Sequence, residues 1–217
     1  MHNVKLLVYQ FLSLISGTLA LFILNPWREA SLAERIPLVS CFLLIFEPLK
    51  VLFIGYIGYK GRGRAPFSVL WEKSYVSKNL NRIGLNLLFI SLIIVLIILC
   101  LGAPLLSELD VTFFLALCVT FTSVLPILIT DPSLPLSTSI LRIINFMFNP
   151  SARFNQWDSS FALNLKLVAL FTWFGAFLLK LDWIVSWKVY PITSIMTSLY
   201  GYLIASLFNL CTISVRF

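Results

Sequence analysis

Six windows of about 20 apolar residues, almost free of charge, confine this chain to one kind of fold, a bundle of membrane-crossing helices. In lipid every backbone N–H and C=O must be satisfied within the protein, so continuous apolar runs of this length are helical. The windows run from about Val4 to Leu24, Ile36 to Tyr59, Ile83 to Leu101, Val111 to Ile129, Phe161 to Leu179 and Pro191 to Ile213. The expected fold is therefore all-α and polytopic, with six transmembrane helices forming a single membrane domain over residues 1–217. Composition agrees: 59% of residues are hydrophobic and 12% charged, against about 45–50% and about 25% in soluble domains. No segment between windows is long enough for a separate soluble catalytic domain. The first window leaves through Phe22-Ile23-Leu24-Asn25, without the small-x-small exit of a cleaved signal peptide, so a retained helix is expected.

Lys and Arg in the short loops set orientation. Ten fall on one side: Lys5, Lys60, Arg62, Arg64, Lys73, Lys78, Arg82, Arg142, Arg153 and Arg216. Four fall on the other: Arg28, Arg35, Lys180 and Lys188. This bias places both termini in the cytoplasm. The basic cytoplasmic loop 60–82 supplies most of the net charge of +7. It can attract anionic headgroups at about 1 kcal/mol per residue, or only fix topology. Nucleic-acid binding is not expected, since no folded basic surface accompanies the charge.

Residues 134–149 are too polar to span. Thr138, Arg142, Asn145 and Asn149 fall at helical spacing, with Leu136, Ile140, Ile143, Ile144, Met147 and Phe148 on the remaining faces. That pattern suits a short interfacial helix between helices 4 and 5, or a re-entrant segment.

Side chains that carry chemistry are scarce. Cys41, Cys100, Cys118 and Cys211 lie on different spans and form no close pairs, so they read as small packing residues. His2 is the only histidine, which removes His-dependent acyl transfer and zinc proteolysis. Gly61-Arg62-Gly63-Arg64 lacks the flanking strand, the helix and the Lys-Ser/Thr of a phosphate loop. The acids Glu29, Glu34, Glu108, Asp110 and Asp182 have no spacing that specifies a metal. No catalytic residue, metal or cofactor is expected.

Within the membrane, Glu47 and Lys50 are the informative pair. Each charge costs about 2.5–3.5 kcal/mol at mid-depth, so neither should face lipid. Three residues apart on a helix they share a face and can neutralise one another. They form either an internal pair that orients helix 2 or a polar contact to substrate or partner. Pro48 between them is expected to kink the helix. Small residues recur at helical spacing, Ser194, Thr197, Ser198, Gly201 and Ala205 in helix 6, and Ser13, Ser16, Gly17 and Ala20 in helix 1. Such faces let helices approach closely, within the chain or between chains.

Two corners form a family pattern. Gly102-Ala103-Pro104-Leu105-Leu106 closes helix 3, and Thr112-Phe113 follows inside helix 4. Then come Trp157-Asp158-Ser159-Ser160, Leu181-Asp182-Trp183, Trp187, Tyr190-Pro191-Ile192 and Gly201-Tyr202. In this order and spacing the C-terminal half resembles the PIG-F family of glycosylphosphatidylinositol (GPI) anchor biosynthesis. Lys180, Val185, Lys188 and Tyr190 depart from the family's usual residues. Independently of the resemblance, Pro104 and Pro191 suit helix ends, and Trp183, Trp187 and Tyr190 suit an aromatic belt.

The resemblance implies a non-catalytic, six-span protein of the endoplasmic reticulum that stabilises large ethanolamine phosphate transferases of the PIG-O type, and of the PIG-G type as a second partner. Such a partner would supply the metal-dependent chemistry that moves phosphoethanolamine onto GPI mannose. Contacts to partner, phospholipid or a GPI intermediate are then expected at Glu47, Lys50, Gly102, Ala103, Pro104, Asp182, Trp183, Trp187, Pro191, Gly201 and Tyr202. The tail Val215-Arg216-Phe217 has no retrieval signal, so reticulum residence rests on the resemblance. A lipid transporter or scramblase built on Glu47, Pro48 and Lys50 is the competing reading, and a small enzyme using Glu47 or Asp182 the third.

Overall fold

Each apolar window becomes a helix in the computed structural model, which describes residues 2–24, 32–60, 80–103, 108–130, 135–149, 156–181 and 190–215. The helices are α1 (His2–Leu24), α2 (Leu32–Lys60), α3 (Leu80–Cys100), α4 (Leu109–Val119), α5 (Leu125–Thr130), α6 (Leu136–Phe148), α7 (Gln156–Leu178) and α8 (Ile192–Ser214). A π-helical turn, Thr120–Val124, joins α4 to α5 into one rod. No strand occurs among the described residues. Five segments are long and apolar enough to cross a membrane: Val4–Leu24, Asn81–Cys100, Leu109–Ile129, Gln156–Leu178 and Ile192–Ser214. Pro37 and Pro48 lie inside the 29-residue α2 without ending it.

The rod α4–α5 is the centre: 83% of its most apolar window is buried, against 22% for α3. The reason lies in its small and hydroxyl-bearing residues, which admit neighbours on every side. Around it pack α2, α3, α7 and α8, with α1 closing the gap between α2 and α8. The π turn disturbs the regular backbone ladder, and its hydroxyls take up nearby carbonyls. Thr120 donates to the Ala116 carbonyl at 2.6 Å, Thr122 to Cys118 at 2.8 Å and Ser123 to Val119 at 2.6 Å. Asn164 of α7 donates to the Thr122 carbonyl at 2.8 Å, tying the turn to its neighbour.

Small residues decide which helices touch most closely. A Cβ on Gly201 of α8 would lie 2.7 Å from the Leu167 carbonyl oxygen of α7. One on Gly17 of α1 would lie 2.6 Å from Leu203 Cδ2 of α8. The small-residue faces of helices 1 and 6 are thus consumed within the chain, which answers the open question of their neighbour.

Two sequence readings shift. The fifth span opens at Gln156, so Trp157, Asp158, Ser159 and Ser160 lie inside α7 and not before it. Asp158 in the first turn suits the positive helix end and accepts a 2.7 Å bond from Arg142 of α6. Of the four cysteines only Cys118 is buried; Cys41, Cys100 and Cys211 are exposed on the outer surface, where lipid makes burial unnecessary for a small apolar group. The amphipathic segment is a helix as expected: α6 buries Ser139 and Phe146 and exposes Leu141, Ile144 and Phe148. It packs on α7 and α3.

Candidate functional site

Each of three helices brings polar groups to the middle of the bundle. On α1 the buried stripe is Leu6, Tyr9, Ser13, Ser16, Ala20 and Leu24, spaced three and four apart, which is one helix face. On α2 the corresponding stripe is Ile36, Val39, Leu43, Glu47 and Lys50. On α8 it passes through Tyr202. Where the three faces meet, Lys50 Nζ donates to Glu47 Oε1 at 2.7 Å, Ser13 Oγ at 3.1 Å and Ser16 Oγ at 3.2 Å. It also pairs with the Tyr202 hydroxyl, and that hydroxyl donates to Glu47 Oε1 at 2.8 Å. The ammonium sits 5.2 Å from the ring centroids of both Tyr9 and Tyr202, close enough for attraction to the π faces.

This arrangement removes two charges from lipid. Glu47 is 0% exposed and Lys50 2%, so the pair is neutral overall and meets only hydroxyls and rings. Desolvating both ions is expensive, and the low dielectric returns that cost only when the remaining donors are satisfied. Ser13, Ser16 and Tyr202 satisfy most of them. Two buried atoms of this cluster have no partner among the described residues, Glu47 Oε2 and Tyr9 Oη. Tyr9 is held instead by its ring, 5.8 Å from both Trp157 and Phe161. The polar knot thereby fastens α1, α2, α8 and the start of α7 together.

The pair Glu47–Lys50 was legible from spacing, and Tyr202 was named for another reason, its place after Gly201. Ser13 and Ser16 were read only as small. Tyr9 was missed, although it lies four residues before Ser13 on the same face.

The corner residues lie elsewhere. Gly102 ends α3 with φ at 100°, a conformation open to glycine. Its N–H meets the Leu99 carbonyl at 3.0 Å while that of Ala103 meets Ile98 at 3.3 Å, the paired bonds of a left-handed helix stop. Pro191 precedes the first turn of α8 and is buried. Tyr190 bonds Thr112 Oγ1 through its hydroxyl at 2.8 Å, joining the start of α8 to α4. Burial holds the Tyr190 hydroxyl above its ordinary value of 10.0; the bond to Thr112 opposes that rise and the charge of Glu108 adds to it. The hydroxyl therefore keeps its proton at neutral pH. Changing Thr112→Val should cost about 1 kcal/mol and lower the thermal midpoint in detergent by about 2–4 °C; an unchanged midpoint would show the bond to be idle. Pro104, Val185, Asp182, Trp183, Trp187 and Lys188 lie outside the described residues. Among the described residues no three of His, Cys, Asp and Glu converge as metal ligands would.

Comparison with known proteins places this bundle. A relative from Schizosaccharomyces pombe, described as a PIGF/3-ketodihydrosphingosine reductase fusion protein, is 30% identical over 126 residues, covering 56% of this chain and 23% of that protein. A mouse protein described as GPI ethanolamine phosphate transferase, stabilizing subunit, is 33% identical over 104 residues, covering 46% of this chain and 43% of its own length. The chain thus spans less than half the length of either relative. No solved structure matches. The family described as GPI biosynthesis protein family Pig-F matches residues 3–210, from the first turn of α1 to the last turns of α8, and the chain belongs to that family.

Proposed function

We propose that this chain is a non-catalytic membrane subunit of GPI-anchor biosynthesis, binding and stabilising an ethanolamine phosphate transferase that adds phosphoethanolamine to GPI mannose. The observation that carries the reading is the mouse relative's description as a stabilizing subunit of such a transferase, 33% identical over 104 residues. The polar knot supports it: Glu47 and Lys50 are turned inward and enclosed by α1 and α8, as suits a tie between helices more than a path for lipid. The partner is of the PIG-O type, with the PIG-G type as a second. The chain sits in the endoplasmic reticulum membrane with six spans, α2 being the sixth, and both termini cytoplasmic. On this topology α6 lies in the cytoplasmic interface, where its exposed Leu141, Ile144 and Phe148 meet the acyl boundary.

Removing the chain from cells should lower the transferase protein several-fold, since an unpartnered membrane subunit is cleared by quality control. GPI precursors lacking the bridging phosphoethanolamine should accumulate. Immunoblotting of the transferase checks this, and unchanged abundance would overturn the reading.

A further inference from the structure

One charge inside a span is turned outward. Lys166 stands ten residues from the start of α7 and twelve from its end, roughly 15 Å and 18 Å along the axis. It is only partly buried, and no described residue pairs with it. Its stem leans toward the start of the helix. It covers roughly half of the distance of about 12 Å to the polar level of Asp158 and Arg142. A lysine at this depth facing bare lipid is disfavoured. Glu47 and Lys50 avoid that cost inside the bundle, whereas Lys166 has no acid beside it there.

The rest of its face is equally informative. Ser159, Leu163, Lys166, Leu170, Trp173 and Phe177 alternate four and three apart, forming one outward seam along α7. Leu170, Trp173 and Phe177 are 54%, 56% and 51% exposed. The spacing is that of a helix presenting a packing seam to another helix, in which one charged position sets register. Trp173 lies two turns beyond Lys166 and has no described partner for its N–H. The seam therefore offers two donors and no charged acceptor.

Building on the accessory-subunit reading, we propose that this seam docks a transmembrane helix of the catalytic partner whose carboxylate meets Lys166. Complementary charge selects the occupant: an acidic side chain at that depth has the same need for a counter-ion, and pairing removes both penalties at once. The apolar positions on either side supply the packing, and the acid fixes register.

The test uses the full-length tagged chain expressed in cells lacking the endogenous one, solubilised in mild detergent. The transferase recovered with it is quantified by mass spectrometry. Wild type and Lys166→Arg should recover it equally. Lys166→Leu should recover about tenfold less, the scale of an interhelical polar contact in lipid, and Lys166→Glu less still. The thermal midpoint of the Lys166→Leu chain alone should be unchanged or higher, since a charge has left the lipid-facing surface, so partner loss is separated from misfolding. A photo-crosslinking residue at Leu170 should capture the transferase, and one at the exposed Leu92 of α3 should not. Full recovery with Lys166→Leu, or capture of lipid alone from Leu170, would overturn the docking site and leave the subunit reading standing. Absence of any transferase with the wild-type chain would overturn both.

Discussion

Replacing either member of the buried ion pair alone is expected to unfold a large fraction of the protein. Truncating one partner of a buried pair typically costs about 3–5 kcal/mol, because the other charge is left without compensation. Thermal unfolding in detergent, with the amount of monodisperse protein as a second readout, would measure the loss; a midpoint equal to that of wild type in either single variant would show the pair to be idle. The combined variant Glu47→Leu, Lys50→Met, Tyr202→Phe removes both charges and the hydroxyl that bridges them. Ser13 and Ser16 remain satisfied, since they also donate to the carbonyls of Tyr9 and Ser13 at 2.9 Å and 3.0 Å. Apolar replacement of a buried pair is often neutral or stabilising, so this variant should recover most of the lost stability. If it also recovers the transferase, the knot is a structural tie. If it is stable yet recovers none, the polar groups themselves contact partner or lipid.

How much of this could be seen beforehand depends on the range over which each signal acts. Span positions come from local hydropathy, and five of the six windows agree with the apolar segments to within about 2–5 residues. The pairing of Glu47 with Lys50 is also local, set by a spacing of three on one helix. The arrival of Tyr202 from the far end of the chain is not local, and only its place after Gly201 in the family pattern sets it apart from Tyr200, which is 47% exposed. The π turn was invisible for the same reason: Thr120, Thr122 and Ser123 read as ordinary polar residues until the helix around them is seen to widen. Lys166 lay in plain view inside the fifth window. Asking of every charge in a span which face it occupies would have found it, because its neighbours at four and three residues are all apolar or small on the outward side. Gly102 shows the opposite case. The family pattern marked it as a contact candidate, and its paired N–H bonds with Ala103 give it a complete structural reason to be glycine.

Gly201 should tolerate no side chain at all. Its missing Cβ would stand 2.7 Å from the Leu167 carbonyl oxygen and 2.8 Å from Phe171 Cβ, so even alanine forces α8 away from α7 against backbone that cannot rotate aside. Overpacking on this scale costs about 1–3 kcal/mol for alanine, and leucine should exceed it enough to abolish recovery of folded protein. The α7–α8 contact is the most extensive in the bundle, and Tyr202 follows directly on Gly201, so displacing α8 also pulls its hydroxyl from Glu47 and Lys50. Gly84 provides the control within the same molecule. A Cβ there meets nothing within 4 Å, and Gly84→Ala in the body of α3 should gain about 1 kcal/mol from helix propensity alone. Thermal midpoints of the two alanine variants should thus move in opposite directions from wild type. A Gly201→Ala midpoint equal to or above that of wild type would mean that α7 and α8 do not approach as closely as their small residues allow. The outward seam on α7 would then lose the rigid backing that holds Lys166, Leu170 and Trp173 in line.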